Sequence, residues 1–261
     1  MNPKEFWKSL TSARIGIGRS GGSIPTSELL KFRLDHARAR DAVLEEPDFD
    51  TIYIGLEKIF QPLGIETIGV ESLAKSREEY LLRPDLGRRL SGPSRSRLES
   101  KKGNCDLALI GIDGLSARAI DSNLIPFLQV LVPILSEQKY KIAPFVLGKF
   151  GRVAIGDEIG EILGAKAVVL LIGERPGLSS ADSLGMYLTF DPKLGKTDES
   201  RNCISNIRPD GLDFYKASLK TAYLLSESLK RGISGVDLKD EMAPDFLDSS
   251  SKDSISNRLS L

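Results

Sequence analysis

The chain has 261 residues and carries 36 Lys plus Arg against 36 Asp plus Glu, a formal net charge of zero. That balance excludes a broad cationic field for nucleic acid or anionic membrane surfaces. With 41% hydrophobic residues it can bury a sizeable core, yet no uninterrupted apolar run approaches the about 20 residues of a bilayer span.

Minor components narrow the classes further. Cys105 and Cys203 are the only cysteines and form no CxxC, so a disulfide framework is not expected and a reducing cytosol fits. The opening Met1-Asn2-Pro3-Lys4-Glu5-Phe6 leads into polar residues rather than an apolar signal core. His36 is the single histidine. A His-based zinc centre needs more imidazoles or several thiolates, so none is expected. His36 itself lies among charges in a predicted helix and reads as a surface residue.

In chain order, residues 1–25 form a lead-in ending in a glycine-rich turn. Thr26 is placed to cap a helix carrying Leu30, Leu34 and Ala37 at helical spacing, stopped by Pro47. Thr51-Ile52-Tyr53-Ile54 fits strand or helix. Ile68-Gly69-Val70 precedes a charged stretch, and the Ser-, Arg- and Gly-rich residues 91–103 read as a connector. The pattern then sharpens. Residues 106–112 are a short apolar run, the signature of a strand buried on both faces. Residues 116–137 read as helix, broken near Pro126 and Pro133. Residues 142–147 are a second strand, 157–164 a short helix stopped by Gly164, and 167–172 the strongest strand. This alternation predicts an α/β fold with a parallel sheet and right-handed crossovers. Leu188-Thr189-Phe190 adds an edge strand. Residues 214–230 form an amphipathic helix ended by Gly232. The expected division is a mainly helical N-terminal region with connector (1–100), an α/β domain (101–240), and a Ser-rich disordered tail (241–261).

Four places could carry chemistry. Gly16-Ile17-Gly18-Arg19-Ser20-Gly21 is a literal GxGxxG, but no solid strand precedes it and the helix starts late. Asp113 ends the first strong strand, where a residue either starts a helix or meets a ligand. Gly173-Glu174-Arg175-Pro176-Gly177 follows the best strand. Two glycines and a proline constrain its path, and ligands of parallel sheets bind outside the carboxyl ends of strands. Cys203-Ile204-Ser205-Asn206-Ile207 is a weaker candidate, with a buried structural cysteine as the plain alternative.

Taken together, long stretches resemble one family in order. They are Thr11 to Arg19, Asp35 to Asp41, Arg83 to Leu90, Asp113 to Ala117, Gly156 to Glu161, Leu171 to Leu178 and Cys203 to Ile207. Over about residues 10–240 the chain is similar to the small subunit of ethanolamine ammonia-lyase. The resemblance implies a Rossmann-like parallel sheet and a part in converting ethanolamine to acetaldehyde and ammonia with adenosylcobalamin. It implies a large-subunit partner whose (β/α)8 barrel holds the substrate, so this subunit is expected to be active only in the hetero-oligomer and to hold no catalytic residue or metal ligand. Cofactor contacts in the family fall on the valine of Gly-Arg-Val, here Val153, on the glutamate of Gly-Glu-Arg-Pro-Gly, here Glu174, and on the cysteine of Cys-Ile-Ser-Asn, here Cys203. The Asp-x-His-x-x-Gly motif, by which some cobalamin proteins supply a histidine to cobalt, is missing, so the cofactor is expected to keep its own benzimidazole. Many members carry a longer N-terminal extension implicated in delivery to a bacterial microcompartment. This chain starts near the motif-bearing part, so the expected location is the cytoplasm, with the microcompartment interior as the alternative. The competing readings are a self-contained Rossmann oxidoreductase using NAD through Gly16–Gly21, and a purely structural scaffold subunit.

Overall fold

The apolar runs at 106–112 and 167–172 become neighbouring central strands of a single sheet. In the computed structural model, which describes residues 3–11 and 14–242, six strands form. They are β1 (Thr67–Glu71), β2 (Cys105–Ile112), β3 (Phe145–Lys149), β4 (Ala165–Gly173), β5 (Leu184–Phe190) and β6 (Arg201–Ile207). Their order is β1-β3-β2-β4-β5-β6. The first four are parallel, while β5 and β6 add antiparallel pairs at one side. The fold is therefore α/β with a mostly parallel six-stranded sheet.

Alternation along the strands builds two cores. Leu107 and Leu109 of β2 face one side with Val169 and Leu171 of β4. They pack against α3 (Phe49–Phe60), α6 (Ala117–Glu137) and α8 (Phe214–Arg231). Ala108, Ile110 and Ile112 face the other side with Val168 and Leu170, under α5 (Gly92–Glu99) and α7 (Ile155–Leu163). Thus β2 leaves the sheet by α6 on one face and β3 leaves by α7 on the other. Their carboxyl ends diverge, and that divergence opens a crevice where open α/β sheets take ligands.

Several elements differ from the sequence reading, each for a physical reason. The predicted edge strand at 188–190 is part of β5, which lies inside the sheet; β6 is the edge. The 91–103 connector contains α5, with a proline in its first turn and Leu98 fully buried. Helix α6 runs unbroken through Pro126 and Pro133. The carbonyls those prolines cannot bond belong to Ser122 and Gln129, both on the exposed side where water satisfies them. α6 is also long and apolar enough to cross a membrane, but Leu124, Phe127, Leu128, Leu131 and Leu135 line the first core. Thr51 to Ile54 lie in α3, whose Asp48 side chain caps by accepting from Thr51 N at 3.1 Å.

The first hundred residues divide. β1 pairs along its whole length with β3 and so enters the sheet. Helix α2 (Thr26–Leu44) begins after Pro25, with no cap from Thr26, and buries only Ala42. Among the described residues no strand precedes the Gly16–Gly21 stretch. It is exposed, and Ser20 and Ser23 pair across a tight turn. Beyond Met242 the tail expected at 241–261 lies outside the described residues.

This division of packing is measurable by urea unfolding. Leu124→Ala removes a fully buried side chain and is expected to cost about 2–5 kcal/mol. Leu30→Ala, on an α2 residue 58% exposed, is expected to stay within about 0.5 kcal/mol. Equal losses would mean that α2 packs into the core.

Candidate functional site

The crevice floor is an ion pair. Asp113, the first residue after β2, is completely buried and accepts from the backbone N–H of Gly114 (2.9 Å) and of Gly151 (3.2 Å). Arg77 of α4 (Arg77–Leu82) donates from Nη1 to Asp113 Oδ2 at 3.3 Å and to the Gly114 carbonyl at 2.8 Å. Its Nε donates to the Val43 carbonyl at 2.7 Å. Asp113 is therefore neither a helix start nor an open ligand contact. The helix start is Ser116, whose hydroxyl accepts from Ala119 N. Burial pushes the Asp113 carboxyl up to about 6, against the opposing pull of Arg77 and the backbone amides.

Over this pair sits Tyr80, fully buried, with Arg77 5.1 Å and Arg152 4.3 Å from its ring centroid and Phe150 stacked at 6.1 Å. Its hydroxyl donates to the Gly151 carbonyl at 3.0 Å, and burial raises its pKa. Phe150 holds φ at 59°, a left-handed conformation that is costly for a bulky residue. That turn ends β3 and delivers Arg152 and Val153 to the crevice.

The β4 loop is placed by backbone contact. Leu115 N donates to the Gly173 carbonyl at 2.9 Å. A Cβ on Gly114, which has φ 59°, would lie 2.2 Å from that carbonyl, and one on Gly173 would lie 2.2 Å from the Ser116 carbonyl. Only glycine permits this approach. Glu174 follows at once. Its Oε1 accepts from Ser205 Oγ at 2.7 Å, and its Oε2 accepts from Asn206 N at 3.2 Å and from the Ser183 hydroxyl. One carboxylate thus ties the β4 loop to the start of β5 and the end of β6. Asn206 adopts φ 61°, a conformation asparagine tolerates, and its side chain accepts from Arg208 Nε at 2.9 Å.

These groups wall a cavity of about 610 Å³, with Tyr80, Leu115, Val153, Ile172 and Tyr187 as apolar surface and Glu174, Ser205 and Asn206 as polar points. Val153 and Glu174 share it. Cys203 is not part of its wall. It stands opposite Tyr187 in the β5–β6 register, within hydrogen-bonding reach of that hydroxyl. The residue is exposed at the sheet edge, yet packing around its sulfur raises the thiol pKa, so it rests protonated. Burial, and then Cys203, raises the Tyr187 pKa in turn. Residue-by-residue reading missed Tyr80, Tyr187 and Arg152. A tyrosine in the charged 71–83 stretch and an arginine directly before Val153 were the available signals. His36 lies elsewhere, exposed on α2 and stacked on Phe32 at 6.2 Å.

The arrangement suits binding. Both Glu174 oxygens are held by hydroxyls and an amide, and the nearest thiol is protonated, so these groups offer fixed acceptors beside an apolar platform rather than an activated nucleophile. By fold and site this is an α/β protein with a pocket at the carboxyl edge of its parallel strands. Comparison with known proteins names the group. Residues 1–239 match the family model described as ethanolamine ammonia-lyase light chain. The chain is 47% identical over 244 residues to the ethanolamine ammonia-lyase small subunit of Azotobacter vinelandii, covering 92% of this chain and 89% of that one. It is 48% identical over 252 residues to that of Pseudomonas syringae pv. tomato (95% and 86%). For Pseudomonas fluorescens strain SBW25 the identity is 46% over 256 residues (97% and 91%). The chain belongs to the ethanolamine ammonia-lyase small-subunit family.

The crevice floor makes a two-part prediction. Asp113→Ala leaves Arg77 buried and unpaired and is expected to cost about 3–5 kcal/mol, whereas Arg77→Met with Asp113→Asn removes both charges and recovers most of it. The folded carboxyl (about 6) lies above its ordinary 3.8, so the folded state binds the proton more tightly. That stability is full below about pH 4 and is lost as pH rises through 6. Relative to Asp113→Asn, the wild-type chain should therefore lose unfolding free energy between pH 4 and 7. A gap that is flat in pH would show that Asp113 titrates normally.

Proposed function

We propose that this chain is the small subunit of an adenosylcobalamin-dependent ethanolamine ammonia-lyase and that its carboxyl-edge cavity takes part of the cofactor. The observation that carries the reading is the meeting of Val153 and Glu174, two of the three residues the family resemblance assigns to the cofactor, in one cavity at the strand crossover point. The chemistry of the wall suits a corrin. Tyr80, Leu115, Val153 and Ile172 offer apolar area, and Glu174 keeps acceptor capacity on Oε1 for the side-chain amides of the macrocycle. Ser205 and Asn206 flank it. Cys203 lies outside the wall, beside Tyr187 on the neighbouring strand.

The cavity, about 610 Å³, is the size that houses a drug-like molecule; adenosylcobalamin is larger, so a second chain must close over it. That role falls to the large subunit, which supplies the substrate site. Exposed apolar residues on α2 and before it, Ile24, Leu30, Phe32 and Leu34, provide surface for such a partner. When bound, the cofactor supplies the radical chemistry that turns ethanolamine into acetaldehyde and ammonia. This chain's residues hold the corrin, fix its tilt and keep water out. The site of action is the cytoplasm or a microcompartment within it.

Reconstitution tests the reading. The isolated chain is expected to show no deamination, with activity appearing on mixing with the large subunit and adenosylcobalamin. In a corrin absorbance titration of the two-subunit complex, Glu174→Ala is expected to weaken binding about ten- to a hundredfold, the loss of a charged acceptor. Full turnover by the chain alone, or unchanged affinity in the variant, refutes the assignment.

A further inference from the structure

Arg152 is the partly buried arginine of the site that has no counter-charge among the described residues. The other arginines that are at least partly buried are paired: Arg77 with Asp113, Arg95 with Glu158, Arg118 with Glu45, Arg201 with Asp157 and Asp198, and Arg208 with Asp182. Arg152, itself partly buried, meets no carboxylate among the described residues. Its Nη2 donates to the Tyr80 carbonyl at 3.3 Å, its Nε is buried with no acceptor, and its guanidinium lies 4.3 Å from the Tyr80 ring centroid. Nη1 keeps no bond within the chain. Ring and carbonyl hold the guanidinium in place without neutralising it. A guanidinium taken partly out of water is normally paired with an anion.

Its position says where the anion lies. Arg152 and Val153 belong both to the wall of the main cavity and to that of an adjoining one of about 640 Å³, on whose far side stand Arg88 and Lys196. The neighbouring amides of Ile155, Gly156 and Asp157 are already engaged by the carbonyls of Arg152, Val153 and Ala154. The guanidinium is the charged donor beside them, and its planar fork suits two phosphate oxygens.

Resting on the cofactor reading above, we propose that Arg152 anchors the phosphodiester of the cobalamin nucleotide loop, so that this subunit recognises the complete cofactor and not the corrin ring alone. The phosphodiester is an anion that cobalamin carries and the cobinamide core does not. Corrin and nucleotide loop then occupy the two cavities on either side of Arg152 and Val153.

The test uses the two-subunit complex and three cyano-corrins followed by absorbance: cobalamin, cobinamide phosphate, and cobinamide, which lacks the phosphate, ribose and base. The wild-type complex is expected to bind cobinamide phosphate more tightly than cobinamide. Arg152→Gln should weaken cobalamin and cobinamide phosphate about ten- to a hundredfold, the range of a charge-assisted bond, and leave cobinamide unchanged. Arg152→Lys, which keeps the charge but loses the fork, should retain part of the preference. Equal weakening of all three corrins by both variants overturns the proposal in favour of a structural arginine. Tighter cobinamide binding on adding inorganic phosphate, with no preference for cobinamide phosphate, overturns it in favour of free phosphate. Unchanged corrin affinities with weaker subunit association in sedimentation overturn it in favour of a partner carboxylate. If the wild-type complex binds no corrin at all, the cofactor reading fails and this proposal with it, an outcome distinct from the other three.

Discussion

The site depends on one buried charge pair, Arg77 with Asp113. Replacing such pairs by apolar residues is often neutral or stabilising in proteins, because taking two charges out of water costs about as much as their attraction returns. The pair's value here is geometric. Arg77 holds the end of α2 through Val43, the loop after β2 through Gly114, and Asp113 itself. Asp113 in turn takes the amide of Gly151 after β3. Four segments distant in sequence are thereby locked where β2 and β3 send their chains to opposite faces of the sheet. A crevice at that point is a product of topology; its shape is a product of this pair.

The rest of the wall follows outward from the floor. Tyr80 can lie flat only because cations flank it and the Gly151 carbonyl takes its hydroxyl. The strained turn at Phe150 then presents Arg152 and Val153 on the same side. On the other flank, Gly114 and Gly173 bring two loops into backbone contact, and Glu174 carries the constraint across to Ser205 and Asn206. Each wall residue is thus held by a neighbour that is itself fixed. Such support lets a site bind a large rigid ligand without losing affinity to ordering.

Legibility in the sequence tracked how local each cause was. β2, β4, α7 and α8 carry their own signals: continuous apolar runs, helical periodicity, a glycine stop. The 173–177 loop was legible too, since two glycines and a proline after a strong strand announce a constrained path at a ligand edge. What escaped depended on pairing across distance. Arg77 and Asp113 are 36 residues apart, and nothing near either one announces the other, so Asp113 read as a cap or a ligand contact. β6 escaped because Arg201 to Ile207 shows no polar–apolar alternation to mark a strand, and α5 because Ser and Arg look like a connector until Leu98 is seen under the sheet. Val153 came from family resemblance alone, and Cys203, a weak candidate by its residues, was raised by it. Arg152 had only its place before Val153 to mark it, because its distinguishing property, the lack of a counter-ion, is a fact about its surroundings.

The loop carrying Glu174 also touches a weakly packed part of the chain. Pro176 and Leu178 share a shallow groove with His36, Ala39 and Val43 of α2, the helix that buries only Ala42 and leaves Phe32 and Leu34 open. On the two-subunit reading, a partner seated on α2 would press on the same loop that fixes Glu174 in the cavity wall. Arg77 ties the end of α2 to Asp113 beneath it, so the arm and the cavity floor are joined a second time. Two sites connected through one rigid segment share a coupling free energy, and coupling is reciprocal: whatever the large subunit adds to corrin affinity, the corrin adds to subunit affinity. On that reading, a core of its own, an incomplete pocket and a weakly packed arm suit this chain to joint assembly, in which neither partner nor cofactor binds to full strength without the other.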